Sequence, residues 1–194
     1  MHRNTLKTGG FSLIEILVAL VLLTLGLLGL SALQASAMKV SFDSGQRSQA
    51  TWVVGELVER MRANVDGQAS GYTAAAANAD LCENGPAKMC ADHYDGEDEA
   101  DATADCSANE LAEFDIWELT CGFEFANTTT AGIDQIKLAG NGLTLACHDS
   151  DSGDSDPCTA GSQFTATLNW TSTSALAART GEEAAKSMTF EVMP

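Results

Sequence analysis

The chain has 194 residues and is strongly acidic, with 27 Asp and Glu against 10 Lys and Arg and a formal net charge of −17 at pH 7. A surface of that sign repels phosphate backbones, so nucleic acid is not an expected partner. Once an apolar amino-terminal stretch is set aside, the remainder suits one modest globular domain.

Residues 1–10 form a short segment carrying Arg3 and Lys7. A junction follows, Gly10-Phe11-Ser12-Leu13-Ile14-Glu15, joined to an apolar run that continues to Leu33 with Glu15 as its single charge. As a helix, Phe11 to Leu33 would rise about 34 Å, enough for a hydrocarbon core of about 30 Å. Positive charge precedes the run and does not return until Lys39, which predicts a cytoplasmic amino terminus and an exported remainder. A carboxylate inside such a segment costs about 2.5 to 3.5 kcal/mol at a helix centre, so Glu15 demands a reason. Two plainer readings compete. Ala35-Ser36-Ala37 reads as a signal-peptidase site, but the apolar run exceeds an ordinary signal core and contains Glu15. A simple single-span anchor would leave Glu15 merely near the interface. Gly26 and Gly29 have only G-x-x-G spacing, so they are read as tolerated small residues and not as a dimer motif.

Beyond Met38 the pattern becomes amphipathic. Ala50, Val53 or Val54, Leu57, Val58 and Met61 recur at helical spacing, while Gln49, Glu56, Glu59, Arg60 and Arg62 take other faces. A single helix from Phe11 to about Asn64 is expected, roughly 80 Å long, with Asn64 and Gly67 as stop signals. Glu56 and Arg60 form an i,i+4 pair of favourable polarity, worth a few tenths of a kcal/mol.

Six cysteines, Cys82, Cys90, Cys106, Cys121, Cys147 and Cys158, all follow the apolar segment. Their even number and position predict disulfides in an oxidising compartment. Close Cys pairs of the zinc-site type are missing. Six cysteines allow 15 pairings; pairing of sequence neighbours, 82 with 90, 106 with 121 and 147 with 158, is expected because each closes a local loop.

Ser107-Ala108-Asn109-Glu110 has capping-box form and predicts a helix from Ala108 to about Leu119. The competing reading is a strand over Ile116 to Phe125. Ile133–Leu138 and Leu143–Cys147, around Ala139-Gly140-Asn141-Gly142, look like a hairpin. Gln163 to Thr171 alternates Phe164, Ala166, Leu168 and Trp170 with polar residues, and Met188, Phe190 and Val192 alternate likewise. These two strands are expected to pair antiparallel through a Ser172 to Lys186 connection and to cover the apolar stripe of the long helix.

Asp92–Asp105 and Asp149–Asp156 read first as mobile solvated loops. Asp149, Asp151, Asp154 and Asp156 could instead gather oxygens for calcium, but Gly153 and Ala160 break the EF-hand pattern. No other metal and no cofactor is implied. His2, His93 and His148 show no nucleophile–base arrangement, so catalysis gets no positive support and no catalytic residue is named.

The junction resembles the class III signal of type IV prepilins and pseudopilins, a short basic leader ending in Gly followed by Phe-Ser/Thr-Leu-Ile-Glu. That resemblance implies cleavage after Gly10 by a membrane aspartyl peptidase, methylation of the new amino terminus at Phe11, and an assembly role for Glu15. The Phe11 amine of one subunit at about 4 Å from Glu15 of its neighbour would gain roughly 4 kcal/mol at an effective dielectric of 20, before desolvation. Glu59-Arg60-Met61-Arg62-Ala63-Asn64 is similar to the signature closing the long helix in minor pilins of the PilV type. Leu27–Gln34 and Glu110-Leu111-Ala112-Glu113-Phe114-Asp115 also resemble stretches of that family.

The resemblance implies an α+β, type IV pilin-like fold: leader 1–10, long helix 11–64 whose first part, 11–33, is the transmembrane or fibre-core segment, and head 65–194. In that fold the helix packs on a small antiparallel β-sheet with disulfide-stabilised loops. It also implies a non-catalytic minor pilin of the inner membrane and then the pilus. Its partners would be the major pilin, other minor pilins, the prepilin peptidase and the inner-membrane assembly platform. The alternatives are a pseudopilin of a type II-like secretion system and a pilus-associated binding subunit. A subunit that captures DNA would need a basic or aromatic strip, against which the acidity weighs.

Overall fold

The structure is a computed structural model and describes residues 12–94, 99–103, 105–125, 128–130, 137–171 and 185–194. The chain divides into two compact units, Met1–Phe42 and Asp43–Pro194. One helix, α1 (Leu13–Ala63), runs through both.

In the first unit every described residue from Ser12 to Phe42 is exposed. The Ser12 carbonyl accepts the Glu15 and Ile16 amides at 3.0 and 3.3 Å, which starts the helix. The hydroxyls of Thr24 and Ser31 donate back to the Val21 and Leu27 carbonyls, both at 2.8 Å, so neither is left unsatisfied on an apolar helix. Mean hydropathy in this part reaches 2.7, making α1 the one helix among the described residues long and apolar enough to cross a membrane.

In the second unit α1 turns one face inward. Gln46, Ala50, Val53, Val54, Leu57 and Met61 are buried, so both candidate valines take the inner face. Val58, expected there, is only half-buried. The helix stops at Ala63, and Gln68 Nε2 donates to the Met61 carbonyl at 2.7 Å, satisfying one of the acceptors a helix end leaves open. After a 3₁₀ turn at Val65–Gly67 come two short helices, α2 (Gly71–Ala77) and α3 (Leu81–Asn84). The alanine run of α2 is a good helix former, but neither helix has enough turns to show a sequence period.

The acidic stretch after Asp92 contains a small antiparallel pair, β1 (His93–Tyr94) with β2 (Glu99–Ala100), where the sequence suggested only a loop. Helix α4 (Ala108–Thr120) follows with both halves of its capping box in place. Its end also corrects the competing strand reading, since helix persists to Thr120 and only the short β3 (Phe123–Phe125) follows, paired with β4 (Thr128–Thr130).

The main sheet has the order β5 (Lys137–His148), β6 (Gln163–Thr171), β7 (Ala185–Val192), all antiparallel. Strand β6 has the predicted bounds. The hairpin expected around Ala139–Gly142 is not formed. Lys137–His148 is one strand that stays on β6, and its register jumps between Leu138, opposite Trp170, and Leu143, opposite Leu168. Gly142 at φ 62° supplies the left-handed residue that such a bulge uses. Residues 133–136 of that expected hairpin, and most of the 172–186 connection, lie outside the described residues.

Leu57 and Met61 of α1 share a buried cluster with Tyr72 of α2, Phe114 of α4 and Phe164 and Leu168 of β6. Full burial of such a side chain contributes about 1.5 to 3 kcal/mol, so the sheet and the short helices close over α1. Three disulfides tie the edges: Cys82–Cys121, Cys90–Cys106 and Cys147–Cys158. The last joins the pair expected from the sequence. The other two correct the neighbour pairing. Cys106 and Cys121 stand at opposite ends of α4, which rises about 20 Å between them, far beyond the Cα separation of about 7 Å that a disulfide tolerates.

Candidate functional site

Two places on α1 carry the residues singled out by the sequence. At the amino end, Glu15 sits in the first helical turn, where the positive end of the helix dipole favours an acid. It is exposed, as are Leu13, Ile14 and Ile16 around it. Gly10 and Phe11 lie outside the described residues. An exposed acid on a greasy helix can do one thing chemically, which is to accept a cation or hydrogen-bond donor brought by another molecule.

At the carboxyl end, Arg60 is the centre of a polar cluster. Its guanidinium donates to Glu56 at 2.8 Å on its own helix, and to Asp115 at 3.0 Å and Glu118 at 2.5 Å on α4. The second oxygen of Asp115 accepts the Tyr72 hydroxyl at 2.7 Å, which adds α2. One residue pair read as a helix-surface contact is thus half of a junction between three helices. Burial works against the Arg60 charge, but the bonds to Glu56, Glu118 and Asp115 outweigh it and raise its pKa above the ordinary value. Burial pushes the Asp115 carboxyl up, while Tyr72 and Arg60 pull it back. Tyr72 is raised by burial first and by its bond to Asp115 second, so it remains a donor.

Other residues at this end extend the same join. Asn64 donates to the Ala108 carbonyl at 2.8 Å, beside the first turn of α4. Met61 enters the core, whereas Arg62 points outward and pairs with Glu59 at 2.7 Å. Within Glu59-Arg60-Met61-Arg62-Ala63-Asn64, therefore, Arg60, Met61 and Asn64 turn inward, while Glu59, Arg62 and Ala63 are exposed. Farther up, Trp170 Nε1 donates to buried Gln46 at 3.4 Å and Lys186 reaches Asp43 at 3.3 Å, fastening β6 and β7 to α1. Sequence reading missed Gln46, Tyr72 and Gln68 here. Gln46 had a signal, being one turn before Ala50 on the inner stripe; Tyr72 and Gln68 had none.

Three of the four aspartates of the carboxyl-proximal loop, Asp149, Asp151 and Asp154, accept bonds within the loop itself. Asp151 accepts from the Gly153 amide at 3.1 Å and Asp154 from that of Asp156 at 2.9 Å, the local bonding typical of Asx turns, while Asp149 accepts from the more distant Thr159 amide at 3.0 Å. Thr159 foremost holds the Asp149 carboxyl below its ordinary pKa. Among the described residues no three His, Cys, Asp or Glu side chains are placed to hold a metal ion. His148 contacts the Thr165 hydroxyl at 2.8 Å on the exposed sheet face; the His93 side chain lies outside the described residues.

Comparison with known proteins gives two consecutive matches. Residues 6–31 match the family model of the prokaryotic N-terminal methylation motif, and residues 32–117 match the family model described as type IV pilin Tt1218. No curated protein and no solved structure matches the chain.

Proposed function

From the premise that this chain belongs to the type IV pilins, structural subunits of a pilus or pseudopilus, we propose that it is a minor pilin that takes part in priming pilus assembly. The methylation motif implies processing by prepilin peptidase in a pilin assembly context. The finer reading is carried by one observation, the junction Gly10-Phe11 followed by Glu15 as the single charge of an exposed apolar helix. Cleavage after Gly10 would free the Phe11 amine, methylation would keep it cationic, and a neighbour's Glu15 would accept it. Helix packing in lipid supplies cohesion without a preferred axial register; the ion pair supplies the register. The Arg60 junction then holds the head on its own helix while the subunit is drawn from the membrane.

The head would face the periplasm and later the cell surface, with the major pilin, other minor pilins and the inner-membrane platform as partners. Resemblance of residues 59–64 to the PilV-type signature supports a minor pilin over a pseudopilin. Amino-terminal analysis of the mature protein tests the processing step: methyl-Phe11 is expected, whereas Met38 would establish a secreted protein and Met1 an unprocessed anchor. Co-purification with surface pili is expected; retention in a periplasmic secretion complex would favour the pseudopilin.

A further inference from the structure

We propose that the outward face of α1 around Trp52 is a docking surface for a basic segment of a different pilin subunit. This rests on the reading of the chain as a fibre subunit and adds the chemistry of the neighbour. Trp117 and Trp170 are 6 % and 3 % exposed, but Trp52 is 67 % exposed. A lone exposed apolar residue needs no explanation. Trp52, however, lines a shallow, open hollow along α1 with Ser48, Thr51, Gly55, Glu56 and Glu59. Ser48, Trp52, Gly55 and Glu59 follow one another at helical spacing along one stripe. A side chain at Gly55 would meet nothing within 4 Å, so the space beside the ring is open.

The chemistry of this hollow selects a cation. An indole face attracts Arg and Lys, and the carboxylates of Glu56 and Glu59 come from the next two turns of the same face. Arg60 occupies Glu56 from the inner side at 2.8 Å. Among the described residues Glu59 pairs with Arg62, at 2.7 Å and with side chains 70 % and 52 % exposed, a contact of the kind that contributes little and exchanges readily. Lipid is a poor occupant because both carboxylates would have to enter it. A second copy would bring another chain of net charge −17 against an already acidic face. A neighbouring subunit that lays an arginine or lysine across Trp52 towards Glu59 satisfies ring and carboxylate together.

The test places a photo-crosslinking amino acid at position 52 of the full-length protein in piliated cells and maps adducts in the sheared fibre fraction by mass spectrometry. The expected adduct lies within a few residues of an Arg or Lys in a different pilin subunit. It should fall roughly fivefold in Glu59→Arg and equally in Gly55→Leu, which fills the hollow on an exposed helix face without burying anything new. Adducts confined to a second copy or to lipid overturn the proposal, as does an adduct indifferent to both substitutions, or its absence while the protein is present in the fibres. Absence of the protein itself from the fibre fraction would instead overturn the fibre-subunit reading beneath it.

Discussion

Residues 13–42 and residues 43–63 are turns of the same helix, yet they meet opposite fates. The first set is richer in leucine and exposes all of it, whereas the second is more polar and buries Ala50, Val53, Val54, Leu57 and Met61 completely or nearly so. Hydrophobicity therefore does not measure how much a segment contributes to the folded head. The apolar half lacks a polar face, the pattern of a helix whose surroundings are lipid or other helices. The amphipathic half finds its apolar partners within its own chain. Charge follows the same division: Glu15 is exposed, whereas Arg60 is held by three carboxylates.

The largest effect that sharpens this contrast is expected at the junction. Gly10→Arg should abolish processing, seen as a full-length band retaining Met1; normal processing would sink the peptidase assignment. Glu15→Leu should leave the protein inserted and the head folded but remove it from the fibre, so undiminished incorporation would refute the alignment role.

Next come matched truncations on the two halves. Leu57→Ala in the core should destabilise the head by about 2 to 5 kcal/mol, visible as a lower melting temperature in detergent. Leu22→Ala, at an exposed position, should leave that temperature unchanged. Equal effects would erase the distinction between the halves.

A smaller loss is expected at the three-helix junction. Arg60→Met strands the buried Asp115 carboxylate, and breaking a buried pair typically costs about 3 to 5 kcal/mol; partial exposure of Arg60 brings the expectation to roughly 2 kcal/mol. Adding Asp115→Leu should recover much of that loss, and additive losses would show that the two residues are not coupled.

The smallest effect concerns the α4 cap. Bonds from the Ser107 amide first, then from Lys88 and the Ser107 hydroxyl, lower the Glu110 pKa to about 2. The folded state thus holds fewer protons on Glu110 than the unfolded state between its ordinary value and about 2. Its contribution is present above that window and is lost as pH falls through it. Ser107→Ala, which removes the hydroxyl but keeps the amide, should cost about 1 kcal/mol at neutral pH and make the acid limb of the stability profile only slightly shallower, measured by thermal melts from pH 5 to 2.

Local order was readable wherever a residue's neighbours in sequence are also its neighbours in space. The capping box at Ser107 and Glu110, the alternation of β6 and β7 and the helical stripe from Ala50 to Met61 all have a period or a fixed offset of a few residues. The bulge in β5 was not readable in this way. Ala139-Gly140-Asn141-Gly142 satisfies the local rules of a turn, and only the continuous partner strand β6 keeps the chain from reversing there. The candidate site divides likewise. Glu15 stood out as a charge in an apolar run, but Tyr72 lies in a short alanine-rich helix and shows nothing of its bond to Asp115.

By itself the sequence determined the apolar helix, the amino-terminal methylation motif, the acidity of the chain and the likeness to type IV pilins, because each depends on composition or on short stretches of sequence. Tertiary structure alone decided that Cys82 meets Cys121 across α3 and α4, that Cys90 meets Cys106, and that Arg60 joins Asp115 and Tyr72. The physical reason is chain geometry. Which of 15 cysteine pairings forms, and which carboxylate an arginine reaches, depends on where rigid helices put their ends, and α4 carries Cys121 well away from Cys106.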